Sequence, residues 1–265
     1  MAFGSRLVEV ISLLELTRQS LRAWRSEQAG IALGFAGLLA VLFMIGTDPT
    51  QLRGVASPLG ERIASNTTRS GPLPVYVPDL YQFGWTLVVG VYIAARVATA
   101  TARDIGDGTL ELLLTAPISR TRVLRARLFA MVFGFVGMTV FVGTVFVALS
   151  VLTETTIDPI VVWMIHALPV PFFLLCIVLG LFVGTITDRG RLAGLASGLL
   201  VLGVFAIGQL SPGSPLELIS PLYYYDPVAI MHGTSVTAQQ IGVPIVVALI
   251  VGGLSRLRFN RLDLS

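Results

Sequence analysis

One short run of the chain carries side chains suited to binding a partner. Residues 108–120 read Gly-Thr-Leu-Glu-Leu-Leu-Leu-Thr-Ala-Pro-Ile-Ser-Arg. In a helix, Leu110, Leu113 and Leu114 fall at i, i+3 and i+4 and share one face, while Glu111 lies on another. Such a helix could bury its leucines against a surface and form one ion pair through its carboxylate. Because a helix of about nine residues is marginal in water, it needs that surface, which is either lipid headgroups or a protein.

Residues that start and stop helices mark the ends of this short helix. Gly106 and Gly108 loosen the chain before it, and Pro117 ends it because proline lacks a backbone donor. Ser119 can then cap the helix that follows. The pattern predicts a helix near residues 107–117, in a loop between two long apolar segments.

The chain does not have the residues for ATP hydrolysis through a phosphate-binding loop. All 18 basic side chains are Arg, and Lys does not occur. The loop motif Gly-x-x-x-x-Gly-Lys-Ser/Thr requires a Lys that reaches the phosphates. We therefore expect no cofactor in this chain, and any ATP energy would have to come from another protein.

A metal site is disfavoured by the spacing of the candidate ligands. Met164, His166, Met231 and His232 are soft or borderline ligands, but they have no i, i+4 ligand spacing. Core packing explains them better. Cys176 is the only cysteine, which excludes an internal disulfide and a cysteine cluster.

An intramembrane serine protease is the sharpest enzymatic rival. Its nucleophile and base would be Ser197 and His232, which would have to lie within about 2.6–3.2 Å of each other. Ser197 falls near the cytoplasmic end of an apolar segment and His232 near an outer loop. Most of a hydrocarbon core of about 30 Å would separate them, so this interpretation is disfavoured.

The composition indicates an integral membrane protein. Hydrophobic residues make up 54% of the chain and charged residues 12%, with a mean hydropathy of +0.84. Soluble domains carry about 25% charged residues, and a soluble fold with this balance would expose large apolar patches. A spanning helix needs about 20 apolar residues, and six runs qualify: 29–47, 79–101, 126–152, 159–186, 192–210 and 237–255. The predicted fold class is therefore all-α, with six transmembrane helices.

Arginine positions predict the orientation of these helices. If the amino terminus is inside, the outer loops hold only Arg53, Arg62 and Arg69, and all other loop and terminal arginines are inside. The positive-inside rule favours this arrangement, which places both termini in the cytoplasm. The net charge of +3 does not indicate nucleic-acid binding, because the arginines flank apolar spans instead of forming a stripe. Asn66 begins a glycosylation sequon in the first outer loop, a motif that often arises by chance.

The predicted organisation is a single membrane domain over residues 1–265. Residues 1–28 form an amphipathic helix at the membrane interface, because apolar positions recur at helical spacing among arginines. Residues 29–256 form the six-helix bundle, and residues 257–265 form a cytoplasmic tail.

Three features of the spans leave alternatives open. Arg96 interrupts the second span and either snorkels to the headgroups or pairs inside the bundle. Pro169 and Pro171 should kink the fourth span, and the kink is either a hinge for movement or only a static bend in the helix. The tyrosines in Tyr223–Tyr225 form an interfacial aromatic belt or line a substrate, in a segment that can dip into the membrane.

The run at 108–120 resembles the signature of permease subunits of type-2 ABC exporters. In that family the run follows the second span and forms a coupling helix that docks on the ATPase subunit. The matching positions are Gly108, Thr109, Leu110, Glu111, Leu113, Leu114, Pro117, Ser119 and Arg120. The family often has a Glu shortly before the Gly-Thr pair, whereas this chain has Arg103, Asp104 and Asp107 there.

Three further segments resemble the same family. Residues 1–28 are similar to its amino-terminal elbow helix, and Ser220–Tyr225 is similar to the Ser-Pro-aromatic segment before the last span. Residues 259–264 are similar to its Phe-x-Arg-x-Asp ending. The resemblance therefore covers the whole chain.

The resemblance implies a non-catalytic permease subunit of an ATP-driven transporter, in the direction of export, in the cell membrane. It implies a partner ATPase that binds ATP and Mg²⁺, and a second permease copy or a sister permease. The substrate is not indicated by any residue. The alternative is an ATPase-independent channel or scaffold, and a neighbouring gene for an ATPase would favour the transporter.

Overall fold

A computed structural model describes residues 2–45, 77–107, 120–155, 157–210, 213–231 and 236–260, and these residues are helical with short turns. No strand occurs among them. The helices are α1 (Ala2–Ile45), α2 (Val77–Gly106), α3 (Arg120–Leu152), α4 (Pro159–Ala167), α5 (Val170–Gly184), α6 (Gly190–Leu210), α7 (Pro221–Tyr224), α8 (Pro227–Met231) and α9 (Ala238–Asn260).

Within the described residues, six helical segments are long and apolar enough to cross a membrane. They are Leu14–Met44, Val77–Gly106, Arg125–Leu152, Pro159–Gly184, Gly190–Gly208 and Ala238–Phe259. Their number and order confirm the predicted all-α membrane fold. Arg96 does not shorten the second of them, since α2 continues beyond residue 101 to Gly106.

The amino-terminal helix is continuous. α1 runs from Ala2 to Ile45 without a break between residues 1–28 and residues 29–47. Its buried positions recur at helical spacing from the amino-terminal part into the span, as in Thr17, Trp24 and Gln28. The location of residues 1–28 at the membrane interface stays a prediction.

The fourth span is broken where the sequence predicts a kink. α4 ends at Ala167, and α5 begins at Val170 after a turn at Leu168 and Pro169. Pro169 has no N–H to donate, which removes a hydrogen bond of the helix. Pro171 removes no hydrogen bond of α5, because it lies in the first turn, where a backbone N–H would have no partner within the helix.

The spans pack as two groups. α1 packs against α3. In the second group, the Val89–Gly106 part of α2 lies between α5 and α6, and α9 packs on the other side of α5. The order of helices in sequence therefore differs from their order in space, since α2 packs mainly against the later helices α5 and α6 and less extensively against α1.

Aromatic side chains fill the core where the two groups meet. Trp85 is fully buried and contacts Phe35, with ring centroids 4.9 Å apart, and Phe173, with centroids 6.4 Å apart. Phe135 and Phe173 are 4.6 Å apart. Edge-to-face and tilted ring pairs of this kind add about 0.5–1.5 kcal/mol beyond the apolar area that they bury.

The first part of α2 has an unusual hydrogen-bonding pattern. Residues Leu80–Val88 form a π-helix. π-helical segments are rare in proteins, but where they occur they often lie at functional sites. Tyr81, Trp85 and Thr86 are buried in it, and the Thr86 hydroxyl donates to the Tyr81 carbonyl at 3.0 Å. Tyr81 and Trp85 lie about one turn apart, and both are part of the aromatic core.

Candidate functional site

The predicted coupling residues fall mainly outside the described part of the chain. Gly108, Thr109, Leu110, Glu111, Leu113, Leu114, Pro117 and Ser119 lie outside the described residues, and Arg120 is the first residue of α3. The structure does describe the two helix ends to which the run is attached. These ends, and what they contact, form the candidate site.

An ion pair joins the two helices that flank the run. The Asp104 carboxylate near the end of α2 pairs with the Arg127 guanidinium in α3. Their side chains are only 19% and 17% exposed, so that solvent screens the pair little. Asp107 then ends α2 by donating its backbone N–H to the Arg103 carbonyl at 2.7 Å.

The same end of α2 is seated against the turn between α5 and α6. A Cβ built on Gly106 would lie 2.5 Å from the carbonyl oxygen of Asp188. A Cβ on Gly190 would lie 2.5 Å from Cγ of Arg103. Since real Cβ atoms do not approach so closely, only glycine allows these contacts. The end of α2 therefore lies directly against the turn before α6 and the first residue of α6.

Further glycines bring α2 into backbone contact with α5. A Cβ on Gly180 would lie 2.5 Å from the Ala94 carbonyl oxygen, and one on Gly184 would lie 2.9 Å from the Ala98 carbonyl oxygen. Glycines spaced by four residues let membrane helices approach this closely. The spacing recurs at the α2-facing positions of α6, which are Gly190, Gly194 and Gly198. This signal was present in the sequence and was missed.

Arg96 pairs inside the protein. Its Nε donates to Oε2 of Glu27 in α1 at 2.7 Å, and the Tyr92 hydroxyl donates to the same oxygen at 3.3 Å. The guanidinium also lies 5.8 Å from the centre of the Trp24 ring, within cation–π range. Of the two alternatives for Arg96, the structure therefore shows pairing in the bundle.

His166 is a core residue with both ring nitrogens satisfied. It is 1% exposed. Nδ1 lies 2.8 Å from the Val162 carbonyl, which can only accept, so Nδ1 carries the proton. Nε2 is then free to accept from the Tyr81 hydroxyl at 3.0 Å. His232 lies outside the described residues, among which no group of three His, Cys, Asp or Glu side chains could hold a metal ion.

Ser197 does not have the surroundings of a nucleophile in the part of the chain that is described. Its hydroxyl is fully buried in α6 and makes no hydrogen bond with a described residue. The other half of the rival dyad, His232, lies outside the described residues.

The tyrosines after α6 divide between core and surface. Tyr225 is buried, and its hydroxyl donates to the Ile165 carbonyl at 3.0 Å. Burial, with a smaller effect of the Asp226 carboxylate, raises the pKa of the Tyr225 phenol well above its usual value, so it remains a donor. Tyr223 is 47% exposed, as an interfacial belt requires, but Tyr225 is a core residue and not part of such a belt.

A cavity of about 370 Å³ lies between α5, α6, α9 and the short helices after α6. Its walls are almost entirely apolar, as in Phe172, Val201 and Val247. The one hydroxyl among the lining side chains, that of Tyr224, donates to the Leu218 carbonyl at 2.8 Å. The cavity therefore suits an apolar group and not a charged one.

A comparison with protein families shows to which family the chain belongs. A family model described as ABC-2 family transporter protein matches residues 38–264, which is most of the chain. The chain belongs to this family. No curated protein matches it at a significant level.

Membership makes the chain an ABC-2 type permease, a multi-pass membrane subunit of an ABC transporter. Permeases of this family are transport subunits that are typically non-catalytic, and the family implies an ATPase partner in general. The match includes the run at 108–120 but begins at residue 38. It therefore does not bear on the predicted elbow helix at residues 1–28.

Proposed function

We propose that this permease belongs to an exporter and couples to a separate ATPase through residues 108–120. Leu110, Leu113 and Leu114 would seat the short helix on the ATPase, and Glu111 would pair with a basic group there. The remaining positions of the run, namely Gly108, Thr109, Pro117, Ser119 and Arg120, would set the shape and ends of the helix. The observation that carries the proposal is the close seating of the α2 end on the turn before α6.

The contacts around the run support a mechanical link. The ion pair of Asp104 and Arg127 connects the two helices that flank the run, so a displaced loop would act on both α2 and α3. The glycine contacts at Gly106 and Gly180 leave no compressible side chain between α2 and its neighbours. A push from the ATPase would thus reach α5 and α6. The ATPase must contact the run differently in its two nucleotide states, because only differential binding shifts a conformational equilibrium.

The proposed assembly contains two permease subunits, as two copies or as one copy and a sister permease, and two ATPase subunits. ATP and Mg²⁺ would bind to the ATPase. The assembly would lie in the cell membrane with both permease termini in the cytoplasm, on the side where the ATPase docks.

Charged substitutions in the short helix predicted near residues 107–117 test the proposal. Glu111→Arg and Leu113→Asp should each reduce permease-stimulated ATPase activity more than tenfold, while the protein still inserts in the membrane. The measurement is the ATPase rate of the complex reconstituted in liposomes, together with the amount of ATPase that co-purifies.

Matched controls carry the same chemical changes on the opposite side of the membrane. Glu154 lies in the turn after α3, and Leu152 is 78% exposed at the end of that helix. Glu154→Arg and Leu152→Asp should leave the ATPase rate within twofold of the wild type. If co-purification and stimulation survive both docking changes, the coupling assignment is wrong. If no ATPase co-purifies with the wild type either, the chain acts as a channel or scaffold.

A further inference from the structure

A groove of about 630 Å³ runs between α1 and α3. Apolar and small side chains form its walls, including Ala29, Leu33, Gly137 and Phe141. Leu33 and Phe141 are 62% and 41% exposed, so no described residue covers this part of the groove. The groove is distinct from the helix ends near residues 108–120, and the proposed coupling does not use it.

Three arginines line the amino-terminal end of the groove. Arg18, Arg22 and Arg25 are spaced at i, i+4 and i+7, which places them on one face of α1. All three are exposed, and none pairs with another described residue. One end of the groove therefore concentrates positive charge, and its lining holds no acidic side chain.

The dimensions of the groove fit one leaflet of a bilayer. α1 rises about 22 Å from Arg18 to Leu33, at 1.5 Å per residue. Half of the hydrocarbon core is about 15 Å thick. The groove is thus long enough for a polar headgroup at the arginine end and an acyl chain beyond it.

From this shape and charge we infer that the groove binds an anionic phospholipid. Its phosphate lies among the three arginines, and one acyl chain lies along Leu33 and Phe141. Guanidinium groups donate paired hydrogen bonds to phosphate oxygens, and basic pockets between membrane helices bind anionic headgroups. The inference requires the arginine end of α1 to lie at the membrane surface, as in the orientation proposed above, but it does not require coupling to an ATPase.

Native mass spectrometry of the full-length protein in detergent tests the inference. The probes are phosphatidylglycerol and phosphatidylcholine with identical acyl chains. We expect the wild type to bind phosphatidylglycerol more tightly. Each arginine near an anionic surface contributes about a fivefold effect, so the triple variant Arg18→Gln, Arg22→Gln and Arg25→Gln should weaken that binding more than tenfold.

A second triple variant removes the same charge elsewhere. Arg189, Arg191 and Arg256 are also exposed and do not line the groove. Changing these three to Gln should leave phosphatidylglycerol binding within twofold. Equal binding of the two lipids by the wild type, or equal losses in the two triple variants, would overturn the inference.

A neutral variant tests the apolar part of the groove. A Cβ on Gly137 meets no atom within 4 Å, so Gly137→Leu should fold and fill the groove. It should weaken phosphatidylglycerol binding at least threefold, whereas Gly253→Leu, at another open position in α9, should not.

The same spectra report the oligomeric state. If Gly137→Leu converts a dimer to a monomer and leaves lipid binding unchanged, the groove is an interface between permease copies and the lipid assignment is wrong. Failure of the Glu111→Arg experiment would not alter these results, because lipid binding is measured without the ATPase. The two proposals can therefore fail separately.

Discussion

The Nε atom of Arg96 lies 2.7 Å from Oε2 of Glu27, and this ion pair joins α2 to α1. A lone Arg costs about 2.5–3.5 kcal/mol at the centre of a bilayer on insertion scales, and less toward its surface. The carboxylate, the Tyr92 hydroxyl on the same oxygen and the Trp24 ring form a polar neighbourhood for the guanidinium. The charge in the second span is thus accommodated by a contact between helices.

Removal of the acid should destabilise the permease because it leaves Arg96 without its counter-charge. We expect Glu27→Gln to lower the apparent Tm by several degrees, measured by size-exclusion chromatography after heating. The Glu27 side chain is 44% exposed, so a double-mutant cycle with Arg96→Gln should give a coupling of no more than about 1 kcal/mol. Glu15→Gln on the same helix, where no ion pair with a described residue occurs, is the control. Equal losses at Glu15 and Glu27 would contradict the importance of the pair.

The close approach of α5 and α6 to α2 should be sensitive to substitution of the glycines that face α2. Gly180→Val would place its Cβ closer to the Ala94 carbonyl oxygen than the sum of their van der Waals radii allows, and overpacking of this kind costs about 1–3 kcal/mol. We expect a lower yield of monodisperse protein and a lower Tm. Gly203→Val makes the same change in α6 where a Cβ meets no atom within 4 Å, and it should be tolerated. Similar behaviour of the two variants would show that the glycine contacts do not determine helix packing.

The contribution of the hydrogen bond between Tyr81 and His166 to stability should be measurable in a double-mutant cycle. Tyr81→Phe leaves Nε2 of the buried His166 without its donor, which costs about 1–3 kcal/mol. Tyr81→Phe combined with His166→Phe removes both partners and should restore part of the lost Tm. Tyr223→Phe, at an exposed position, should change little. A double variant less stable than Tyr81→Phe alone would argue against this pairing.

The orientation can be tested with single cysteines. Cys176 is buried and can be replaced by Ser to give a background without thiols. With an impermeant maleimide on intact cells, Ser57→Cys in the first outer loop should be labelled. Ser265→Cys at the carboxyl terminus should be labelled only after permeabilisation. The reverse pattern would invert the proposed topology.

Much of the fold could be predicted from the sequence because a bilayer permits few solutions. Long apolar runs must be helical in lipid, where backbone groups have no water to bond, and hydropathy alone therefore found six spans. The missing backbone N–H of proline was also enough to predict the break at Pro169.

Contacts between distant residues could not be predicted in this way. Pairing in the bundle was one of two alternatives for Arg96, and the sequence did not identify Glu27, which is 69 residues away and marked only the edge of a span, as the partner. The partner of Asp104 was likewise hidden, since an ion pair depends on which helices lie side by side. The π-helical segment Leu80–Val88 has no known periodic signature in the sequence. The glycine spacing in α5 and α6 was a readable signal for close packing, but not for the identity of α2 as the neighbour.

The division of the spans into two groups has a mechanical consequence. Toward the Gly106 end of α2, two ion pairs join α2 to α1 and α3, Glu27 with Arg96 and Asp104 with Arg127. Toward the Val77 end of α2, the two groups share the aromatic core around Tyr81. Water and lipid headgroups can solvate separated charges, whereas separated rings would lose both packing and burial. Separation of the two groups would therefore cost less free energy at the Gly106 end of α2 than at the aromatic core, which would act as the pivot.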